Sequence, residues 1–303
     1  MSSSMESLSR KIAGAGDLQS VVHSMKALAA SRIGQYEKAV QALLHYYRTV
    51  ELGLVACFRR PGGSPLAPAR VRKGPRAVGA IVFGSDQGLV GRFNEELVDY
   101  TARTLGALPD GARKVWAVGE RIHSLFADRN LAQAGPFAVP TSVYGITPLV
   151  GQILVEIEAS HEKGEVTDIY LFHNQPQSGA IYEPVNKQLL PLDRAWRRNI
   201  AALPWPTKNL PEVIEGATPA LQDFLQGYFF VLIFQACAES LASENASCLA
   251  AMQRAESNID DMLEELSRAF HRIRQESIDE ELFDVVSGYE ALSGGAAKLR
   301  GST

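Results

Sequence analysis

The chain has 303 residues, 46% of them hydrophobic, with a formal net charge of −4. That composition supports a sizeable core in one or two domains, and it argues against global disorder and against nucleic acid as the main partner. No stretch reaches the roughly 18 uninterrupted apolar residues of a membrane span, and the polar N-terminus MSSSMESLSRK has no signal-peptide apolar region, so the expectation is an intracellular protein without a transmembrane segment of its own.

Residues 17–58 read as a long helix. Leu18, Val22, Met25, Ala29, Ile33, Tyr36, Val40, Leu43, Tyr47, Val50 and Leu54 recur in alternating steps of three and four, a narrow stripe of coiled-coil type. Gly14 and Gly16 weaken the preceding turn, and Asp17 is placed to cap the helix after them. The first proline is Pro61, and residues 59–75 form a basic stretch rich in Pro and Gly that reads as a linker.

After the linker the pattern changes. AVGAIVF (77–83) predicts a buried strand that ends in a glycine turn. Residues 93–108 predict a helix, 114–118 a strand, 121–129 a short helix and 148–163 an amphipathic helix. VTDIYLFHN (166–174) predicts another strand, and 180–192 an extended pair around Glu183 and Pro184. Strands alternating with helices indicate a small α/β domain with a mostly parallel sheet. A proline-rich exit follows at Pro204, Pro206, Pro211 and Pro219.

The stretch Leu221–Leu292 then runs without proline, with glycine only at Gly227 and Gly288. The run between those glycines would extend about 90 Å as one helix, against about 40–50 Å for a compact domain of this chain length. Leu241, Cys248, Met252, Ala255, Ile259, Met262, Leu266, Ala269 and Ile273 form its seam, interrupted at Asn245, where a buried amide can fix register. Residues 1–60 carry eight Lys/Arg against four Asp/Glu, and residues 220–292 four against fourteen, so the two seam helices have opposite charge. The predicted fold class is α/β: a long antiparallel coiled coil of N- and C-terminal helices with an inserted small Rossmann-like α/β domain. The expected divisions are a first shaft helix over 1–60, linker and foot domain over 61–209, and a second shaft helix with tail over 210–303. An antiparallel pair has facing residue numbers of constant sum, expected at roughly 270–280 from the seams and charges. That register sets Lys26 and Arg32 near Glu239 and Glu244.

Few motifs carry chemistry. GSDQGLVGR (84–92) lies between a strand and a helix, where phosphates can bind, but it lacks both the GK[ST] ending and the GxGxxG spacing; the plainer reading is a tight turn packed on a neighbour. Cys57, Cys237 and Cys248 show no CxxC pattern, and the six histidines are scattered without metal-ligand spacing. The acidic group Glu256, Asp260, Asp261, Glu264 and Glu265 suits a solvated or ion-paired helix face.

Three stretches resemble the gamma subunit of F-type ATP synthases. SLSRKIAGAGDLQSVVHSMKALAASR (7–32) resembles the family's N-terminal helix, FGSDQGLVGRFNEEL (83–97) its strand–turn motif, and residues 241–292 its C-terminal LASE…RQ…helix. Gln87, Arg92 and Asp279 stand where the family usually has Arg, Gly and Thr, and "LQSVV" replaces "TQKIT". The pattern resembles a divergent branch, the gamma subunits of the alternate bacterial complexes called N-ATPases.

The resemblance implies a central-stalk rotor that performs no bond chemistry and holds no cofactor or metal. Its implied partners are the alpha and beta subunits of the hexamer, the epsilon subunit and the membrane c-ring. It implies a peripheral place on the cytoplasmic face of the bacterial plasma membrane, with proton or sodium flow coupled to ATP synthesis or hydrolysis. By motif, Met25, Lys26, Arg274, Gln275 and Asp279 fall at beta-subunit contacts, and Ser85, Asp86, Gln87 and Gly88 form the foot turn. The competing reading is an α/β nucleotide- or phosphate-binding enzyme dimerised by its helices, carried by the Gly84–Gly91 loop.

Overall fold

The computed structural model describes residues 2–59, 76–109, 111–127, 129, 132–177, 180–209 and 217–299. Apart from Arg59, the predicted linker lies outside the described residues. The elements in order are α1 (Ser2–Arg59), β1 (Arg76–Phe83), α2 (Phe93–Gly106), β2 (Gly111–Val118), α3 (Glu120–Ala127), β3 (Ala132–Phe137), α4 (Ile146–Glu162), β4 (Asp168–Gln177), β5 (Ala180–Leu190), α5 (Arg194–Ala202) and α6 (Ala217–Leu299). The chain divides into two compact units, residues 28–251 and residues 1–27 with 252–303.

The larger unit holds a five-stranded sheet in the order β3-β2-β1-β4-β5, with β5 alone antiparallel to its neighbour. Its central strands β1 and β4 are apolar on both faces because both are covered. Along β1 the side chains alternate. Val78, Ala80 and Val82 face a core made with Leu97, Val98 and Leu105 of α2 and Ile122 and Phe126 of α3. Ile81 and Phe83 point the other way, into a core with Val150 and Ile153 of α4, Leu54 of α1 and Leu232 and Ile233 of α6. Each fully buried Leu or Ile here contributes about 1.5–3 kcal/mol of burial free energy.

In this unit α1 and α6 run antiparallel. The rings of Tyr47 and Tyr228 lie 6.0 Å apart, and a Cβ placed on Gly53 would come within 2.2 Å of the Phe224 ring. Both pairs fall inside the expected residue sum. By length and mean hydropathy alone α6 could cross a membrane, but its apolar window is 56% buried in the fold, the pattern of a core helix.

In the smaller unit the same two helices face each other again. Gln19 Nε2 donates to Asp260 Oδ1 at 2.6 Å, and Lys26 donates to Glu256 Oε2. The antiparallel orientation therefore holds within each unit, and Lys26 with Glu256 lies just above the expected sum.

Several expectations are corrected. α1 begins at Ser2, so Gly14 and Gly16 sit inside it and Asp17 caps nothing. Leu18 is 57% exposed, and Ala15 and Gln19 turn inward on either side of it, while Val22 is buried as expected; Met262 is 47% exposed, while Leu263 turns inward. Asn245 donates to the Leu241 carbonyl of its own helix at 2.7 Å rather than across the seam. Lys26 meets Glu256, and Glu239 meets His173, so Lys26 has neither of the partners expected for it. Arg32 and Glu244 do influence each other electrostatically, as expected. The region 180–192 is one strand rather than a pair; Pro184 is accommodated because β5 is the sheet edge. β3 and α5 were not anticipated.

Candidate functional site

The turn at 84–92 is built inward. The Ser85 amide donates to Asn94 Oδ1 at 3.0 Å, Asn94 Nδ2 donates to Ser85 Oγ at 2.8 Å, and Ser85 Oγ donates to the Gln87 carbonyl at 2.8 Å. Ser85 and Asn94 are almost completely buried, so this is a closed polar cluster of the kind that fixes one loop conformation. Asp86 Oδ1 accepts from the Glu120 amide at 3.0 Å, at the first turn of α3, where a carboxylate also complements the helix dipole. Gly91 adopts φ 62° and Leu89 φ 66°, which gives the reversal before α2. Gly119 adopts φ 117°, and a Cβ there would stand 2.6 Å from the Ser85 carbonyl oxygen. Gln87 and Gly88 are exposed at the tip.

Ser85, Asp86 and Asn94 are thus committed to the framework around the loop, and Phe83, Asn174 and Val90 are gripped by α6. Ser240 Oγ donates to the Phe83 carbonyl at 2.8 Å, Ser243 Oγ to the Asn174 carbonyl at 3.0 Å, and Ser247 Oγ to the Val90 carbonyl at 2.5 Å. The spacing of three and four residues puts all three hydroxyls on one helix face. This is the packed-turn reading of the motif rather than the phosphate-loop one. The serines were missed in the sequence, although their spacing was available as a signal.

A second buried polar group lies between β4 and α6. His173 Nε2 is 2.8 Å from Glu239 Oε2, and Gln175 and Gln235 donate to the same carboxylate at 3.1 and 2.7 Å. Burial works to raise the Glu239 pKa, but these hydrogen bonds and the His173 charge hold it below the usual carboxylate value.

In the smaller unit Lys26 is half-buried and bound to Glu256, and the hydrogen bond from Lys26 holds the Glu256 carboxyl below its usual value. His23 Nδ1 lies 3.9 Å from the other Glu256 oxygen. Met25 is half-buried. Arg274, Gln275 and Asp279 are exposed, with no ion pair or hydrogen bond among the described residues. Among and beyond them Ile278, Leu282, Phe283, Val285 and Val286 are exposed as well, an apolar face that no described residue of the unit covers. The fold brings Ser85 to Gly88 together as one turn, whereas the five expected contact residues belong to the helices.

The family model described as ATP synthase matches residues 4–292. The chain is 25% identical over 295 residues to the ATP synthase gamma chain of Brevibacillus brevis, covering 96% of this chain and 99% of that one. It is 28% identical over 297 residues to the gamma chain of Syntrophus aciditrophicus, with 96% and 99% covered. Among solved structures it resembles the rotor of the Euglena gracilis mitochondrial ATP synthase, with a TM-score of 0.63 at 13% identity, covering 92% of this chain and 100% of that chain. The central stalk and c-ring structure of the Tetrahymena thermophila enzyme gives 0.53 at 20% identity, with 78% and 99% covered. Those two likenesses are likenesses of fold; the family match spans nearly the whole chain, which therefore belongs to the ATP synthase gamma family, the non-catalytic central-stalk subunits of F-type ATP synthases.

Proposed function

We propose that this chain is the rotor that couples ion translocation to ATP synthesis or hydrolysis in an α/β hexamer. The observation that carries the reading is the family match over residues 4–292, joined to two long helices that pair antiparallel within each unit. A paired-helix shaft resists twisting, which torque transmission requires. In this reading residues 1–60 and 210–303 form the shaft, and residues 61–209 supply the foot that meets the epsilon subunit and c-ring. Met25, Lys26, Arg274, Gln275 and Asp279 touch the beta subunits; the exposure of the last three and the unpaired apolar face beyond them support a surrounding sleeve. Phe83 and Val90, which flank the Ser85–Gly88 turn, fasten the foot to the last helix, and the turn itself binds no phosphate, since its Ser85 hydroxyl and Asp86 carboxylate are engaged internally.

The chain sits peripherally on the membrane complex, on the cytoplasmic face of a bacterial plasma membrane in this reading. Gln87, Arg92 and Asp279 support placing it in the N-ATPase branch; the coupling ion is chosen by the ring.

The test is purification through a tag on this chain from its native membrane, with equilibrium dialysis of the isolated chain against ATP. The reading expects a nucleotide-hydrolysing α/β hexamer to co-purify and the isolated chain to bind no ATP. Stoichiometric ATP binding by the chain alone, without a hexamer, would favour the nucleotide-binding enzyme.

A further inference from the structure

Glu244 lies on α6 between Ser243 and Ser247, the two serines that grip Asn174 and Val90. Its Oε2 is sealed from solvent and has no hydrogen-bond partner among the described residues. A sealed carboxylate oxygen without a donor is expensive, and protonation removes most of that cost. The groups around it come from three elements. Arg32 on α1 favours the charged form, and Asp86 of the turn opposes it. Tyr36 of α1 and Cys237 and Cys248 of α6 also feel the Glu244 charge, which makes their own ionisation harder. Burial is the largest effect on Glu244, the Asp86 charge the next, and the Arg32 charge only partly offsets them; the pKa is pushed up to about 8. Glu244 as a whole is half-buried and only its Oε2 is sealed; one cation against that sealed oxygen and a neighbouring carboxylate leaves the neutral acid as the form that fits.

We infer that Glu244 is a proton-dependent latch between α6 and the Asp86 turn: neutral, it stays seated beneath the turn, and ionised, it is driven out by its own desolvation and by repulsion from Asp86. The grip of Ser243 and Ser247 on the sheet end and the turn then loosens. The folded-state pKa lies above the ordinary value of 4.5, so the contribution to stability is complete below that value and is lost as pH rises through about 8. The latch is thus closed at neutral pH and opens in alkali. It rests on the fold of the larger unit and stands whether or not the rotor reading does.

The test uses the full chain with carbon-13-labelled glutamate. The Glu244 carboxyl resonance is assigned as the one lost in Glu244→Gln, and its midpoint is followed against pH in the wild type and in Asp86→Asn. The latch predicts a midpoint near 8, moved down in Asp86→Asn. Amide exchange over residues 85–91, divided by exchange in β1, should rise above that midpoint in the wild type and stay flat in Glu244→Gln. A midpoint near 4.5, or the same alkaline rise in Glu244→Gln, overturns the latch. If Glu244→Gln does not fold, Asp86→Asn decides: an unmoved wild-type exchange midpoint in that variant counts against it.

Discussion

The Ser247 hydroxyl donates to the Val90 carbonyl at 2.5 Å, tying the C-terminal helix to the turn after the first strand, 157 residues away in sequence. With Ser240 and Ser243 it forms a row in which each hydroxyl satisfies a carbonyl oxygen at the carboxyl end of the sheet or in the turn. Replacing Ser243 or Ser247 by Ala leaves that carbonyl unsatisfied, so each variant should lose about 1–3 kcal/mol in urea denaturation of the full chain. Replacement of an exposed serine such as Ser24, which bonds only within its own helix, should change stability by less than about 0.5 kcal/mol.

Two glycines in α1 should respond in opposite directions. Gly53 lies against Phe224, and an added methyl would overlap the ring, so Gly53→Ala should cost about 1–3 kcal/mol. Gly14 has open space around its Cβ position inside the same helix, and Gly14→Ala should gain about 0.5–1 kcal/mol from helix propensity. Thermal melting of both variants checks this; a stabilised Gly53→Ala would mean the helices are not packed closely at Phe224.

Acid should weaken the larger unit through Glu239. Its folded pKa is lowered, so its contribution is present above the unfolded value near 4.5 and is lost as pH falls through the folded one. His173→Ala removes the hydrogen-bonding partner of a buried carboxylate and should cost about 3 kcal/mol at neutral pH. It should also flatten the acid limb of the stability curve, because without His173 the Glu239 pKa rises toward its unfolded value. A variant with an unchanged acid limb would place the acid sensitivity elsewhere.

The helices were legible because apolar steps of three and four residues, sustained over many turns, match the helical period and not the strand period of two. β1 and β4 were legible because both of their faces are buried. β3 was not: AQAGPF is short and weakly apolar, and only pairing with β2 makes it a strand. The seam was misread at Leu18 and Met262 because neighbouring residues compete for each inward position. At Gln19 a polar side chain won by bonding to Asp260, which periodicity of apolar residues cannot signal. The turn was read correctly as a packed feature, but the serines, His173–Glu239 and Glu244 depend on contacts between residues far apart in sequence.

Removing residues 280–303 should uncouple the complex more than it unfolds the chain. Glu280 to Ser287 are all exposed, so their loss sacrifices little burial. In the assembled complex the truncated chain should support ATP hydrolysis with less ion pumping per ATP. Unchanged pumping per ATP would show that this segment transmits no torque.

The most direct test of the rotor reading is rotation itself. Tyr144 is 91% exposed, so Tyr144→Cys, in a background with Cys57, Cys237 and Cys248 replaced, offers an attachment point for a bead. With the α/β hexamer fixed to a surface and ATP supplied, the account predicts that the bead turns continuously in one direction and stops when ATP is withdrawn. A bead that stays still while the same complexes hydrolyse ATP at full rate would contradict it.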